Sequence, residues 1–279
     1  MKGPQADSGP SFTRSTRPLV VAIANQKGGV GKTTTAINLG AELAARGFAT
    51  LLIDLDPQAN ATAGLGLRSG AQGSIYDVIL DDQPLSAIRL ETPQPGLSLA
   101  PSGPDLAGAE VELVLLVARE QRLRRALEAA ALPGFELVII DCPPSLGLLT
   151  INALTAADEV LVPVQCEYLA LEGLGNLTRT LEAVRRSLNP GLHLGGLLLT
   201  MYDNRTNLCQ QVAAEVRGHF PQTFRTMIPR SVRLSEAPSH GLPIGLYAGG
   251  SPAAKAYAAL AGEFIDSLLK VRRPAGVEG

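Results

Sequence analysis

The sequence predicts an α/β fold: a doubly wound, mostly parallel sheet flanked by helices on both faces, in a single domain. Three observations predict it. Short apolar runs alternate along the chain with longer stretches that are apolar at helical spacing, as in a sheet whose strands are buried on both faces. The first apolar run, Leu19 to Ala24, passes through a glycine-rich turn into the helical pattern Ala36 to Ala44. Acidic residues, Asp54 and Asp141, close two of the apolar runs, at the strand ends where open parallel sheets gather ligands.

The elements follow in order. Residues 1–18 hold Gly, Pro, Ser and Thr with Arg14 and Arg17 and no apolar periodicity, so a disordered N-terminal extension is expected there. After the strand at Leu19, further buried strands are expected at Thr50 to Asp54, Leu97 to Ala100, Glu136 to Asp141, Glu159 to Pro163 and Leu194 to Leu199. Helices are expected near 104–117, 119–131, 147–157, 169–188, 206–219 and 252–270, and Arg68 to Gly73 reads as a surface loop. No repeat, long linker or shift in composition divides the chain. One domain over 19–270 and a frayed tail over 271–279 are the expectation.

A chain of 279 residues with 46% hydrophobic residues has enough apolar material for a substantial core. No apolar run has the length of a membrane span and the first residues lack a signal-peptide core, so the cytoplasm is the expected location. Cys142, Cys166 and Cys209 are far apart without metal-ligand spacing and read as buried, reduced thiols. A net charge of −2 predicts no nucleic-acid partner by itself, which leaves that question to local patches.

The turn Asn25-Gln26-Lys27-Gly28-Gly29-Val30-Gly31-Lys32-Thr33-Thr34-Thr35 is a phosphate site by its chemistry. Glycines let successive backbone N–H groups curl round an anion, and the following helix adds its positive end. In such a loop Lys32 reaches the β/γ-phosphates and the Thr33 hydroxyl ligates Mg²⁺. Asp141 has the placement of a magnesium-holding carboxylate opposite Thr33. Asp54 and Asp56, two residues apart before Pro57, can put one carboxylate beside the metal and the other towards the γ-phosphate, or simply cap the next helix.

The glycines depart from the common phosphate-loop pattern, which wants a glycine where this chain has Gln26, and a second lysine, Lys27, precedes them. This form resembles the deviant Walker A motif of the ParA/MinD class of ATPases. Asp141 to Leu154, Pro163 to Tyr168 and Arg233 to Ser239 are similar to the chromosomal ParA group known as Soj, so that the likeness runs from Leu19 to about Leu269. The resemblance implies ATP and Mg²⁺ as cofactors, a loop of Lys27, Gly28, Gly29, Val30, Gly31, Lys32, Thr33 and Thr34 on the phosphates, and Pro229 against the adenine. It implies Asp54 and Asp141 in the magnesium shell with Thr33, and Lys27, Lys32 and Asp56 as the catalytic set, Asp56 at the attacking water. Lys27 would act across an ATP-dependent homodimer.

Between Glu215 and Glu236 no acidic residue occurs, while Arg217, Arg225, Arg230 and Arg233 do. A solvated helix face is the ordinary reading of such a strip, and phosphate contact is the other. The resemblance assigns non-specific double-stranded DNA binding to Arg205 and Arg233, with Arg230 as a further candidate. It also implies a nucleoid-associated protein, slow intrinsic hydrolysis and a ParB-type centromere-binding partner that stimulates it. The alternative is a MinD-like membrane-associated positioning ATPase, which would need a terminal amphipathic helix. Here Phe264, Ile265, Leu268 and Leu269 continue the stripe of Tyr257, Leu260 and Ala261, a core-packing pattern, and no membrane partner is expected.

Overall fold

The computed structural model describes residues 17–167 and 170–271. The expected tails lie outside these residues except for Arg17, Pro18 and Val271. Arg17 is held: its guanidinium donates twice to Asp158, at 3.0 and 2.5 Å, and Asp158 also accepts from Val20 N at 2.9 Å.

Among the described residues eight strands form one sheet: β1 (Leu19–Ile23), β2 (Thr50–Asp54), β3 (Leu90–Glu91), β4 (Leu97–Ala100), β5 (Leu137–Asp141), β6 (Glu159–Gln165), β7 (His193–Tyr202) and β8 (Thr223–Pro229). Their order is β3-β4-β2-β5-β1-β6-β7-β8, parallel throughout except for β3, which runs antiparallel to β4. β1 is central, with the next strands in sequence to one side of it and β6 to β8 to the other. The turn leaving β1 is therefore the topological switch point, where ligands of open α/β sheets bind.

Alternation along the strands feeds two cores. Val20, Ala22, Val138 and Ile140 pack on one face of the sheet, and Leu19, Val21, Ile23, Leu137 and Ile139 on the other. The helices are α1 (Lys32–Ala45), α2 (Asn60–Gly64), α3 (Ile75–Leu80), α4 (Leu85–Ile88), α5 (Leu106–Leu113) and α6 (Arg122–Ala130). They continue with α7 (Leu148–Ala156), α8 (Ala170–Ser187), α9 (Asn207–His219), α10 (Val232–Glu236), α11 (Ile244–Ala248) and α12 (Pro252–Val271). α1 and α12 cover the second face, and Tyr257, Leu260, Ala261 and Phe264 of α12 are buried in it. Among the described residues no helix is long and apolar enough to cross a membrane.

β3, β8 and the one- or two-turn helices α2, α3, α4, α10 and α11 are additions to the expected elements. β8 is an edge strand, bulged where its pairing with β7 shifts between Leu197 and Leu199, and only Phe224 and Ile228 of it are buried. Glu263 of α12 accepts from both Arg225 N at 2.7 Å and Thr226 N at 3.0 Å beside that bulge.

A second close approach joins α2 to the segment after α10. Gly66 and Gly241 both adopt left-handed φ, +71° and +67°, and a Cβ on Gly241 would stand 2.8 Å from the Gly66 Cα. Only two glycines let these turns touch.

Candidate functional site

The loop between β1 and α1 is built to turn its amides inward. Gly29 and Gly31 take φ of +75° and +88°, a left-handed conformation that side-chain-bearing residues avoid, and Gly31 caps α1. Asn25 anchors the start: its Nδ2 donates to Pro163 O on β6 at 2.7 Å while its Oδ1 accepts from Lys27 N at 3.0 Å. Thr200, at the end of β7, donates to Val30 O at 2.9 Å and anchors the middle. One turn into α1, Asn38 donates to Thr34 O at 2.7 Å and accepts from Ile244 N at 2.6 Å, tying the loop to α11.

Lys32 is 6% exposed and donates to Lys27 O at 3.1 Å; burial lowers its pKa, against the pull of Asp141. The Lys27 ammonium is partly exposed and forms an ion pair with Glu167 of the same chain.

β2 and β5 pair in register, Asp54 against Asp141, so the two carboxylates end neighbouring strands side by side. Asp141 is fully buried, and neither of its carboxylate oxygens has a hydrogen-bond partner. Thr33 lies near enough to favour its ionised form without reaching hydrogen-bond geometry. Burial, reinforced by the charge of Asp54, holds the Asp141 pKa well above the usual carboxylate range. A buried carboxylate without a partner is costly, and a divalent cation with hard-oxygen preference satisfies it. Thr33 and Asp141 therefore fit a magnesium ion.

Asp54 has a different environment. Its Oδ2 accepts from Thr62 N and Thr62 Oγ1, both at 2.7 Å, and its Oδ1 accepts from Asp56 N at 3.3 Å. The Thr62 hydroxyl accepts in turn from Ser102 N at 3.0 Å, and Ser102 Oγ donates to Asp56 O at 2.7 Å. This closed ring fixes the backbone of the Asp56 loop, and the Asp56 carboxylate accepts from Gln58 N at 3.0 Å. Thr62 and Ser102 escaped the sequence reading; Ser102, two residues past the end of β4, repeats the strand-end position of the aspartates.

Burial pushes the Asp54 pKa up to about 6, against those hydrogen bonds. A carboxylate with a raised folded-state pKa costs stability while both states are ionised. That cost is relieved as pH falls from the folded value towards the unfolded one near 4. Between pH 7 and 5 the ligand-free chain is expected to gain about 1 kcal/mol of stability from this group. Urea unfolding of the native chain and Asp54→Asn across that range checks it, and the mutant should show a smaller gain, because burial still raises the Asp141 pKa.

Gly28, Gly29, Gly31, Lys32, Thr33 and Thr34 line a cavity of about 410 Å³ together with Asp56, Gln58 and Asn60. Met201, Leu234, Ala237, Pro238 and Leu242 add apolar lining to the same cavity. Phosphate-loop groups and apolar side chains in one cavity suit a nucleotide, which has phosphates for the first and a base for the second. Met201, the penultimate residue of β7, has φ of +51°, a strained conformation for a side-chain-bearing residue at a cavity wall. Pro229 closes β8, paired with Tyr202, and is outside that lining.

The arginine strip divides. Arg225 lies on β8 beside Glu263, and Arg217 of α9 donates to Arg225 O at 3.1 Å. Arg205 and Arg230 instead follow the in-register ends of β7 and β8, on the same edge of the sheet as the glycine loop, and Arg233 sits on α10. Asp203 takes Arg205 in a two-pronged bond, Nε at 2.9 Å and Nη2 at 2.7 Å, which pulls the Asp203 pKa down to about 2.

The AAA domain family model matches residues 19–194. The chromosome partitioning protein ParA of Myxococcus xanthus is 53% identical over 248 residues, 88% of this chain and 87% of that protein. The sporulation initiation inhibitor protein Soj of Bacillus subtilis is 54% identical over 246 residues, 88% of this chain and 97% of that protein. A crystal structure described as cobyrinic acid a,c-diamide synthase from Mycobacterium smegmatis, with bound ADP and magnesium, superposes with a TM-score of 0.80 at 40% identity. It covers 91% of this chain and 97% of that one. With more than half of the residues shared over nearly the full length of such relatives, the chain belongs to the ParA/Soj family of chromosome-partitioning P-loop ATPases.

Proposed function

We propose that the chain is an ATP-driven DNA-partitioning switch that dimerises on ATP, binds DNA without sequence preference and is released by hydrolysis. One observation carries this reading: a single cavity joins the glycine loop and Asp56 to α10, the short helix that bears Arg233. Phosphoryl transfer asks for positioning and charge neutralisation. The loop amides and Lys32 cradle the phosphates. Magnesium, when bound by Thr33, Asp141 and the nucleotide, neutralises charge on the β- and γ-phosphates. Asp56, steadied by the Asp54–Thr62–Ser102 ring, orients the attacking water.

Among the described residues no arginine lines the cavity. Slow intrinsic turnover follows, and a ParB-type partner with a basic segment is the expected stimulator. Lys27 completes the site of a second subunit; to do so it must leave Glu167.

DNA contact made by Arg205, Arg233 and Arg230 is phosphate contact, hence weakened by salt. Binding to an arbitrary duplex with ATP, with ADP and without nucleotide, across a salt series, tests the switch. Tight binding is expected only with ATP. Arg233→Ala should weaken it about tenfold or more and lower the salt slope by about 2, one phosphate contact per subunit of a dimer. Binding indifferent to nucleotide would reduce the arginines to a passive basic surface.

A further inference from the structure

The segment Val232–Leu242 carries two differently occupied sets of residues. Leu234, Ala237, Pro238 and Leu242 line the nucleotide cavity. Outside that lining, Glu236 Oε2 accepts from both Arg233 Nη1, at 2.9 Å, and the hydroxyl of Tyr247 on α11, at 3.1 Å. The Tyr247 ring stacks on His240 with centroids 4.7 Å apart. Arg233, Glu236, Tyr247 and His240 thus form one cluster on the segment whose other residues line the cavity. Resting on the DNA-binding reading of Arg233 above, we propose that this cluster is a latch. Glu236 and Tyr247 are positioning residues that hold Arg233 away from DNA until nucleotide engagement of the cavity lining moves the segment.

The latch works by occupation and charge. A guanidinium that spends a donor on Glu236 offers fewer to a phosphate, and the Glu236 carboxylate both cancels its charge and repels the DNA backbone. The pair is weak by design, because its side chains are 59% and 40% exposed and water screens them. A shallow latch can be tipped by a small movement; a deep one would silence Arg233 in every state.

The segment also has a second input. Gly241 rests on Gly66, just past α2, and α2 begins at Asn60, in the loop that carries Asp56. Contacts at the base and rearrangement of the Asp56 loop at the γ-phosphate therefore both bear on the same short stretch. Coupling of two sites needs an element with two arrangements that each site biases. The Arg233–Glu236–Tyr247 cluster, paired or released, has that form, while Leu234 and Pro238 keep the segment in touch with the nucleotide.

The experiment uses the full chain and an arbitrary duplex at low salt, without nucleotide, with ADP and with ATP. It compares the native protein with Glu236→Gln, Tyr247→Phe and Arg233→Ala, each checked by thermal melting. Glu236→Gln keeps the size of the side chain and removes its charge. It is expected to raise nucleotide-free affinity roughly threefold, for the one Arg233 of a monomer, and to change the ATP-state affinity by less than about twofold, so that the ratio between states shrinks. Tyr247→Phe should act in the same direction with a smaller shift, and it stands in if Glu236→Gln does not fold. An equal rise in all states, or none, would overturn the latch: Glu236 would be only a background charge. Loss of binding in Arg233→Ala with an unchanged ratio in Glu236→Gln sinks the latch alone. Native binding that Arg233→Ala leaves intact would overturn the DNA reading of Arg233 itself.

Discussion

Replacing Asp56 by alanine is expected to lower ATP hydrolysis by about a hundredfold or more, the scale of a lost general base or water-orienting group, while ATP binding persists. The separation follows from where Asp56 stands. In the proposed reading phosphate affinity comes from the loop amides, Lys32 and the start of α1, and no hydrogen bond joins these to the Asp56 side chain. Asp56 is 6% exposed, at the wall of the same cavity, and its main chain is fixed by Ser102 at 2.7 Å and by Asp54 at 3.3 Å. Its carboxylate can therefore hold a water in one place. Single-turnover hydrolysis and equilibrium binding of a nucleotide analogue, measured on the same preparation, check the prediction. Equal loss of binding and turnover would mean that Asp56 shapes the phosphate cradle instead.

Gly241→Val is expected to destabilise the fold by about 3–5 kcal/mol, a large share of the 5–15 kcal/mol available to a typical domain. Two costs add. Valine at φ +67° sits in the left-handed region, worth about 1–2 kcal/mol of strain, and its Cβ meets the Gly66 Cα at 2.8 Å, where the obstacle is backbone and cannot rotate away. Denaturant unfolding gives the number directly. Gly70→Ala, at a position where an added Cβ meets nothing, should change stability by less than about 1 kcal/mol and serves as the comparison.

The parallel strands were legible because burial on both faces leaves an uninterrupted apolar run, which Leu137–Ile140 and Leu51–Ile53 show plainly. β8 was not legible, because an edge strand with exposed Arg225 and part-buried Thr226 has no such run. Strand-end position made Asp54 and Asp141 visible as site residues. What it did not reveal is that the Asp54 oxygens are engaged by Thr62 and the Asp56 amide while those of Asp141 have no partner. That distinction is made by a hydroxyl eight residues along the chain, through a helix too short to show a period. The arginine strip was visible as composition, and Glu236 at its boundary pairs with Arg233, but the partner of Arg225 was hidden, because Glu263 comes from the last helix.

The cover that Glu263 places over the β8 bulge limits how copies of this protein can assemble. Unpaired amides along a sheet edge invite another chain to add a strand, and this edge is interrupted by a bulge and closed by a carboxylate that accepts two adjacent N–H groups. At the opposite edge β3 is two residues long, too short to template a neighbour. With one edge bulged and capped and the other only two residues long, joining of copies by a continuous backbone ladder is disfavoured, and a contact between them would have to be made by side-chain surfaces, which respond to charge.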